Sequence, residues 1–154
     1  SQEFTVSEGE QKNVILYCKP ANVKVSVVYT EDFLKYYSDC TVSLSTSHLT
    51  APFEVNMKKD SGKDAYLKAN ADGEKVSITV GGFRDKEGNP VVMEALVAEK
   101  KVAPKTHLTI TVDPEVITIS TGTASLDVTV DTGTEDKDVN IEIPEEYWPG
   151  NASK

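Results

Sequence analysis

Residues 22–46 read NVKVSVVYTEDFLKYYSDCTVSLST. At the start of this stretch Val23, Val25, Val27 and Tyr29 fall on one side and Lys24 and Ser26 on the other, the period of two of a strand with one wet face. The same alternation resumes at Cys40, Val42 and Leu44. Between the two runs EDFLKYYSD breaks the period. Glu31 and Asp32 suit the positive start of a helix, and Phe33, Tyr36 and Tyr37 lie three and four apart on one face. The spacing predicts one short helix near residues 31–38, carrying the chain between strands while its aromatic face caps an open end of the core.

Outward from this stretch the period of two recurs in KNVILYC (12–18), PFEVNMK (52–58), DAYLKA (64–69), KVSITVGGF (75–83) and VVMEALVA (91–98). It continues in HLTITVD (107–113), VITIS (116–120), SLDVTVD (125–131) and DVNIEI (138–143). Turn chemistry separates the runs: DSGKD at 60, NADGEK at 70, DKEGNP at 85 and STGTAS at 120, where Gly supplies positive φ and Asn or Asp bonds the nearby backbone. Many short strands with frequent turns predict an all-β fold, an antiparallel β-sandwich. Its core should hold Val23, Val25, Val27, Val42, Leu44, Ile78 and Val80, with Phe33 at one end. The likeness of LTITVD (108–113) to LDVTVD (126–131) is that of adjacent strands with a Thr-rich wet face rather than a repeat. One module over residues 1–154 is expected, with Pro104 and Pro114 marking where a small lobe over 105–154 would begin.

The chain has 154 residues, with 25 acidic and 16 basic side chains and a formal net charge of -9. A phosphate backbone would be repelled, so nucleic acid is excluded as a partner. No apolar run approaches the length that crosses a bilayer, and SQEFTVSEGE lacks the basic and apolar regions of a signal peptide. Mature exported proteins lose such signals, so this does not argue for the cytoplasm.

Residue types that carry chemistry are sparse. His48 and His107 stand in no spaced cluster with Cys, Asp or Glu, as zinc or a hydrolytic triad would need, and are expected to be structural. Gly81-Gly82 follows a strand with no helix pattern after it, which fits a bulge or tight turn rather than a phosphate loop. The acidic run DTGTEDKD (131–138) lacks the spacing and closing glutamate of a calcium loop and reads as a solvated hairpin loop. Cys18 and Cys40 both fall on inward faces, which favours two buried thiols, although a bridge stays open. Tyr147 and Trp148 in IPEEYWPG either stack on a sugar or partner or fold back over the end of the sandwich. No catalytic residue, cofactor or metal is expected, and the chain is read as not an enzyme.

The stretch FTVSEGEQKNVILYCKPANVKVSVVYTEDFLKYYSDCTVSL resembles a Bacteroidales family of exported surface lipoproteins, a domain of unknown function related to the fimbrillins. The resemblance is carried by F-T-V-x-x-G, by V-x-L-x-C-K-x-A-N-V-K-V-x-V and by F-L-K-Y-Y-S-D before TVSLS; beyond residue 46 it is looser. It implies a fimbrillin-like, Greek-key sandwich at the bacterial outer membrane or cell surface, acting in adhesion or pilus-like assembly with protein partners or like subunits, host or glycan ligands. Members carry a β-rich region before the FTV strand and a lipid-modified cysteine. The chain is therefore expected to lack an upstream region, with any lipid anchor outside it. The fimbrillin likeness further implies strand exchange between subunits, for which Phe4 and Val6, or Ile141 and Ile143, would border the receiving edge. The rival is a carbohydrate-binding surface lipoprotein using Tyr147, Trp148 or the helix aromatics; a hydrolase ranks third.

Overall fold

The computed structural model describes residues 22–123 and 138–149. In chain order these form β1 (Asn22–Tyr29), α1 (Glu31–Tyr36), β2 (Tyr37–Ser45), β3 (Phe53–Asn56), β4 (Ala65–Lys68) and β5 (Glu74–Asp85). There follow β6 (Leu96–Val102), β7 (Thr106–Val112), β8 (Val116–Thr123), β9 (Val139–Glu142) and a 3-10 turn at Glu145–Tyr147. The strands make two sheets, in the orders β4-β1-β7-β8-β9 and β3-β2-β5-β6. Apolar residues of both sheets form one core, so this is a β-sandwich with one short helix. Phe4, Val6, Cys18, the strands expected at 12–18 and 125–131, and residues 131–137 of the acidic run lie outside the described residues.

Alternation places the core as expected. Val23, Val25, Val42, Leu44, Ile78 and Val80 are all buried, while Val27 packs on the same core but stays partly exposed. From residue 105 onward the chain supplies β7 and β8 to the first sheet, and Leu108, Ile110, Ile117 and Ile119 join that core.

Three features differ from the sequence reading. First, β1 pairs antiparallel with β4 but parallel with β7, Val25 opposite Leu108 and Val27 opposite Ile110. Period two is blind to strand direction, so alternation could not reveal this. Second, the helix stops at Tyr36 rather than near 38. Tyr37 is buried with its ring centroid 4.7 Å from that of Phe33 and already pairs with Asp85, so it opens β2. Third, the strand expected at 91–98 begins at Leu96. The cause lies in β5. Its pairing with β6 starts at Val80 and Leu96, and at Gly82 the φ of +65° creates a bulge, with Gly81 opposite Thr41 but Arg84 opposite Asp39. Beyond the bulge Arg84 bridges to Pro90 and the Val91 amide donates to the Phe83 carbonyl, so the chain leaves the ladder and Val92 is 92% exposed.

Candidate functional site

The helix fixes one end of the sandwich. Thr30 caps it: its hydroxyl oxygen accepts from the Phe33 amide at 3.1 Å, and its hydroxyl donates to Asp113 Oδ2 at 2.9 Å, while its own amide donates to the Val112 carbonyl at 3.1 Å. These bonds tie the helix start to the end of β7. Phe33 then points inward, fully buried, with ring centroids at 5.6 Å from Tyr29, 4.7 Å from Tyr37 and 6.0 Å from Phe83. Tyr36, expected on the same face as Phe33 and Tyr37, is instead 47% exposed at the last residue of the helix, so only Phe33 and Tyr37 of the three cap the core.

The chain after β9 returns to this end. Ile143 is buried, its amide donating to the Glu115 carbonyl at 2.9 Å. The following 3-10 turn lets the Trp148 indole N–H donate to the Ile143 carbonyl at 2.7 Å, and both Tyr147 and Trp148 pack on the core. Both therefore fold back over the sandwich end. Their remaining surface forms a wall with Tyr36, Tyr37, Val91 and Val92 around a groove of about 330 Å³, whose polar lining is Asp85 and Glu146. The two aromatic segments singled out separately by sequence are thus brought into one groove. What sequence missed is Val92, read as part of a strand, and the carboxylates beside it.

A second recess of about 200 Å³ shares Tyr36 and Pro149 with this groove and adds Asp32, Asp113, Pro114 and Glu115. Among the described residues no basic side chain lines either hollow. Asp32 is paired with Lys35 at 2.9 Å, and the Lys86 ammonium donates to the Leu34 carbonyl at 2.8 Å.

Both histidines meet a serine and a carboxylate, a conjunction sequence spacing did not show. Ser47 donates from its hydroxyl to Glu74 Oε1 at 2.6 Å and from its amide at 2.8 Å, Asn70 Nδ2 donates to Oε2 at 2.9 Å, and His48 Nε2 lies 3.3 Å from Oε2. Burial alone would raise the Glu74 carboxyl, but the Ser47 bonds, the His48 ring and Asn70 more than offset it, and it titrates below the ordinary glutamate value. On the outer face of the first sheet, Ser26 donates to Asp64 Oδ1 at 2.5 Å and lies 2.7 Å from His107 Nε2, with Lys24 at 3.3 Å from Asp64. The Ser26 bond is the main reason the Asp64 carboxyl is held below its ordinary value. A serine has one proton. Since Ser26 gives it to Asp64, His107 must present an N–H to the hydroxyl and cannot act as its base. A hydrolytic triad places the imidazole between serine and acid. In the first cluster the carboxylate is in the middle, in the second the serine.

Cys40 is a buried free thiol, pushed up to about 12 by burial, so it is not poised as a nucleophile. Burial likewise raises the neighbouring Tyr29 phenol well above its ordinary value. Among the described residues no group of three or more His, Cys, Asp or Glu is arranged to hold a metal ion, and no helix is long and apolar enough to cross a membrane. At the far side of the first sheet β9, which carries Ile141, pairs with β8 alone among the described residues, while Ile143 just beyond it is sealed in the core.

Compared with known protein families, residues 1–145 fit the one described as a domain of unknown function, DUF4493. No curated protein matches the chain, and no solved structure does. With residues 1–145 of 154 matched, the chain belongs to the DUF4493 family.

Proposed function

We propose that this domain is a non-enzymatic, cell-surface adhesion or pilus-like assembly module that works through protein contacts. The observation that carries the reading is the groove in which Tyr36, Tyr147 and Trp148 converge at one end of the sandwich. Aromatics gathered at the surface of a rigid frame, one exposed and two partly buried, are what recognition surfaces are made of. Support also comes from the two histidine clusters, whose wiring stabilises loops and strands instead of activating a nucleophile. The side of β9 left unpaired among the described residues offers a second route to assembly, by strand addition. The sequence resemblance to exported, fimbrillin-related lipoproteins supports a place at the bacterial outer membrane, with attachment through a lipid anchor.

The test uses cells that display the full precursor. Tyr36→Ala should lower adhesion to like cells or to a host matrix while surface display, measured by antibody, is unchanged. Adhesion equal to that of cells displaying the wild type would overturn the reading. The same groove favours one alternative, carbohydrate binding, because sugar rings also stack on Tyr and Trp. A glycan array signal that Tyr36→Ala and Trp148→Ala both abolish would establish that alternative.

A further inference from the structure

We propose that the groove walled by Tyr36, Tyr147 and Trp148, with the acidic recess beside it, docks an arginine-bearing segment of a partner protein. This names the occupant of the groove and so rests on the protein-contact reading. The argument is one of charge and shape together. Asp85 and Glu146 face the groove, Asp32, Asp113 and Glu115 face the recess, and among the described residues no lysine or arginine lines either. Lys35 neutralises Asp32, and Asp113 is occupied by Thr30 and the Glu115 amide. Glu115 and Glu146, in contrast, form no ion pair among the described residues. Carboxylates gathered at one end of a chain of net charge -9 repel one another, and a cation relieves that repulsion where a neutral sugar does not.

The aromatic wall then selects among cations. A guanidinium is planar and weakly hydrated, so it stacks on a Tyr or Trp face while its edge donates to a carboxylate in a fork; an ammonium is a compact, strongly hydrated point charge that does neither as well. Val92, 92% exposed at the groove wall, gives the neighbouring apolar residues of such a segment a place to lie.

Trp148 is the chain's single tryptophan, so its fluorescence reports on this groove directly. The probe is an arginine-containing octapeptide, compared with the same peptide carrying citrulline, which keeps the shape and removes the charge. The arginine peptide should change Trp148 emission saturably and bind about tenfold more tightly than the citrulline form, the advantage shrinking as salt is raised from about 50 to about 300 mM. Glu146→Gln, Glu115→Gln and Tyr36→Ala, all at exposed positions, should each weaken binding about threefold or more. Equal affinity for both peptides, no saturable response, or displacement by a neutral oligosaccharide would overturn the proposal. Loss of peptide binding alongside an intact Tyr36-dependent adhesion phenotype would leave the protein-contact reading standing and remove only the cationic occupant.

Discussion

Replacing Phe33 by alanine tests the link between the helix and the fold. The ring is fully buried and touches three other aromatic rings, with Tyr37 nearest at 4.7 Å between centroids. Emptying such a site costs about 3 to 5 kcal/mol through lost transfer energy and the residual cavity. Each ring pair adds up to about 1 kcal/mol, but these terms overlap with the cavity term, so an expected total is about 4 to 5 kcal/mol. Collapse is limited, since Tyr29, Tyr37 and Phe83 are anchored on three different strands, β1, β2 and β5. Urea unfolding followed by circular dichroism should show the midpoint falling with an unchanged slope. Leu34→Ala, one residue along on the exposed side of α1, provides the matched control and should cost under about 0.5 kcal/mol. A loss below about 1 kcal/mol for Phe33→Ala, or equal losses for the two variants, would refute the view that the helix is pinned by its aromatic face.

Other perturbations separate structural roles. The Tyr29 hydroxyl is a buried atom without a hydrogen-bond partner, so Tyr29→Phe should be neutral or stabilise by up to about 1 kcal/mol; a loss of that size would mean the Cys40 thiol is a true partner. The Glu74 carboxyl has a lowered folded pKa, so its contribution is fully present above the unfolded value of 4.5 and is lost as pH falls through the folded one. Thermal melts from pH 7 to pH 3 should therefore lose less stability in Glu74→Gln than in the wild type, and parallel curves would contradict this. At Gly82 a Cβ would meet nothing nearer than 3.8 Å, so Gly82→Ala should cost about 1 kcal/mol from its positive φ alone, and Gly82→Asn less. Strand addition at β9 predicts oligomers that grow with concentration or with added strand peptides; a species that sediments as a monomer under every condition removes that route.

How much was legible in the sequence follows from what each signal encodes. Alternation in residues 22–30 and 40–46 encodes which face is buried, and the valines and Leu44 obey it. It carries no information on neighbours or direction, so the parallel contact of β1 with β7 stayed hidden. VVMEALVA misled because a strand-like pattern does not say whether a partner strand is within reach, and the bulge at Gly82 decides where pairing with β6 begins. The aromatic groove was legible only as its parts. Tyr36 and Trp148 are far apart in the chain, and they meet because the strand order brings α1 and the turn after β9 to the same end. Glu74 gave no signal at all: a glutamate after a turn is ordinarily solvated, and only the meeting of Ser47, His48 and Asn70 around it makes burial tolerable.

The parallel seating of β1 beside β7 also sets an order of events during synthesis. Contacts such as Ser26 with His107 span 81 residues and Thr30 with Asp113 span 83. By contrast β5 and β6, and β7 and β8, are antiparallel neighbours in sequence that can pair as soon as both strands exist. A chain emerging from its N-terminus can complete the β3-β2-β5-β6 sheet while the flank of β1 that will receive β7 is still bare. The entropy of closing so long a loop rises only logarithmically with its length, so the delay weighs on the rate of folding far more than on final stability. Until residue 112 has left the ribosome, that flank lacks its native partner β7, and its backbone groups are open to capture by a chaperone or by a strand of another copy.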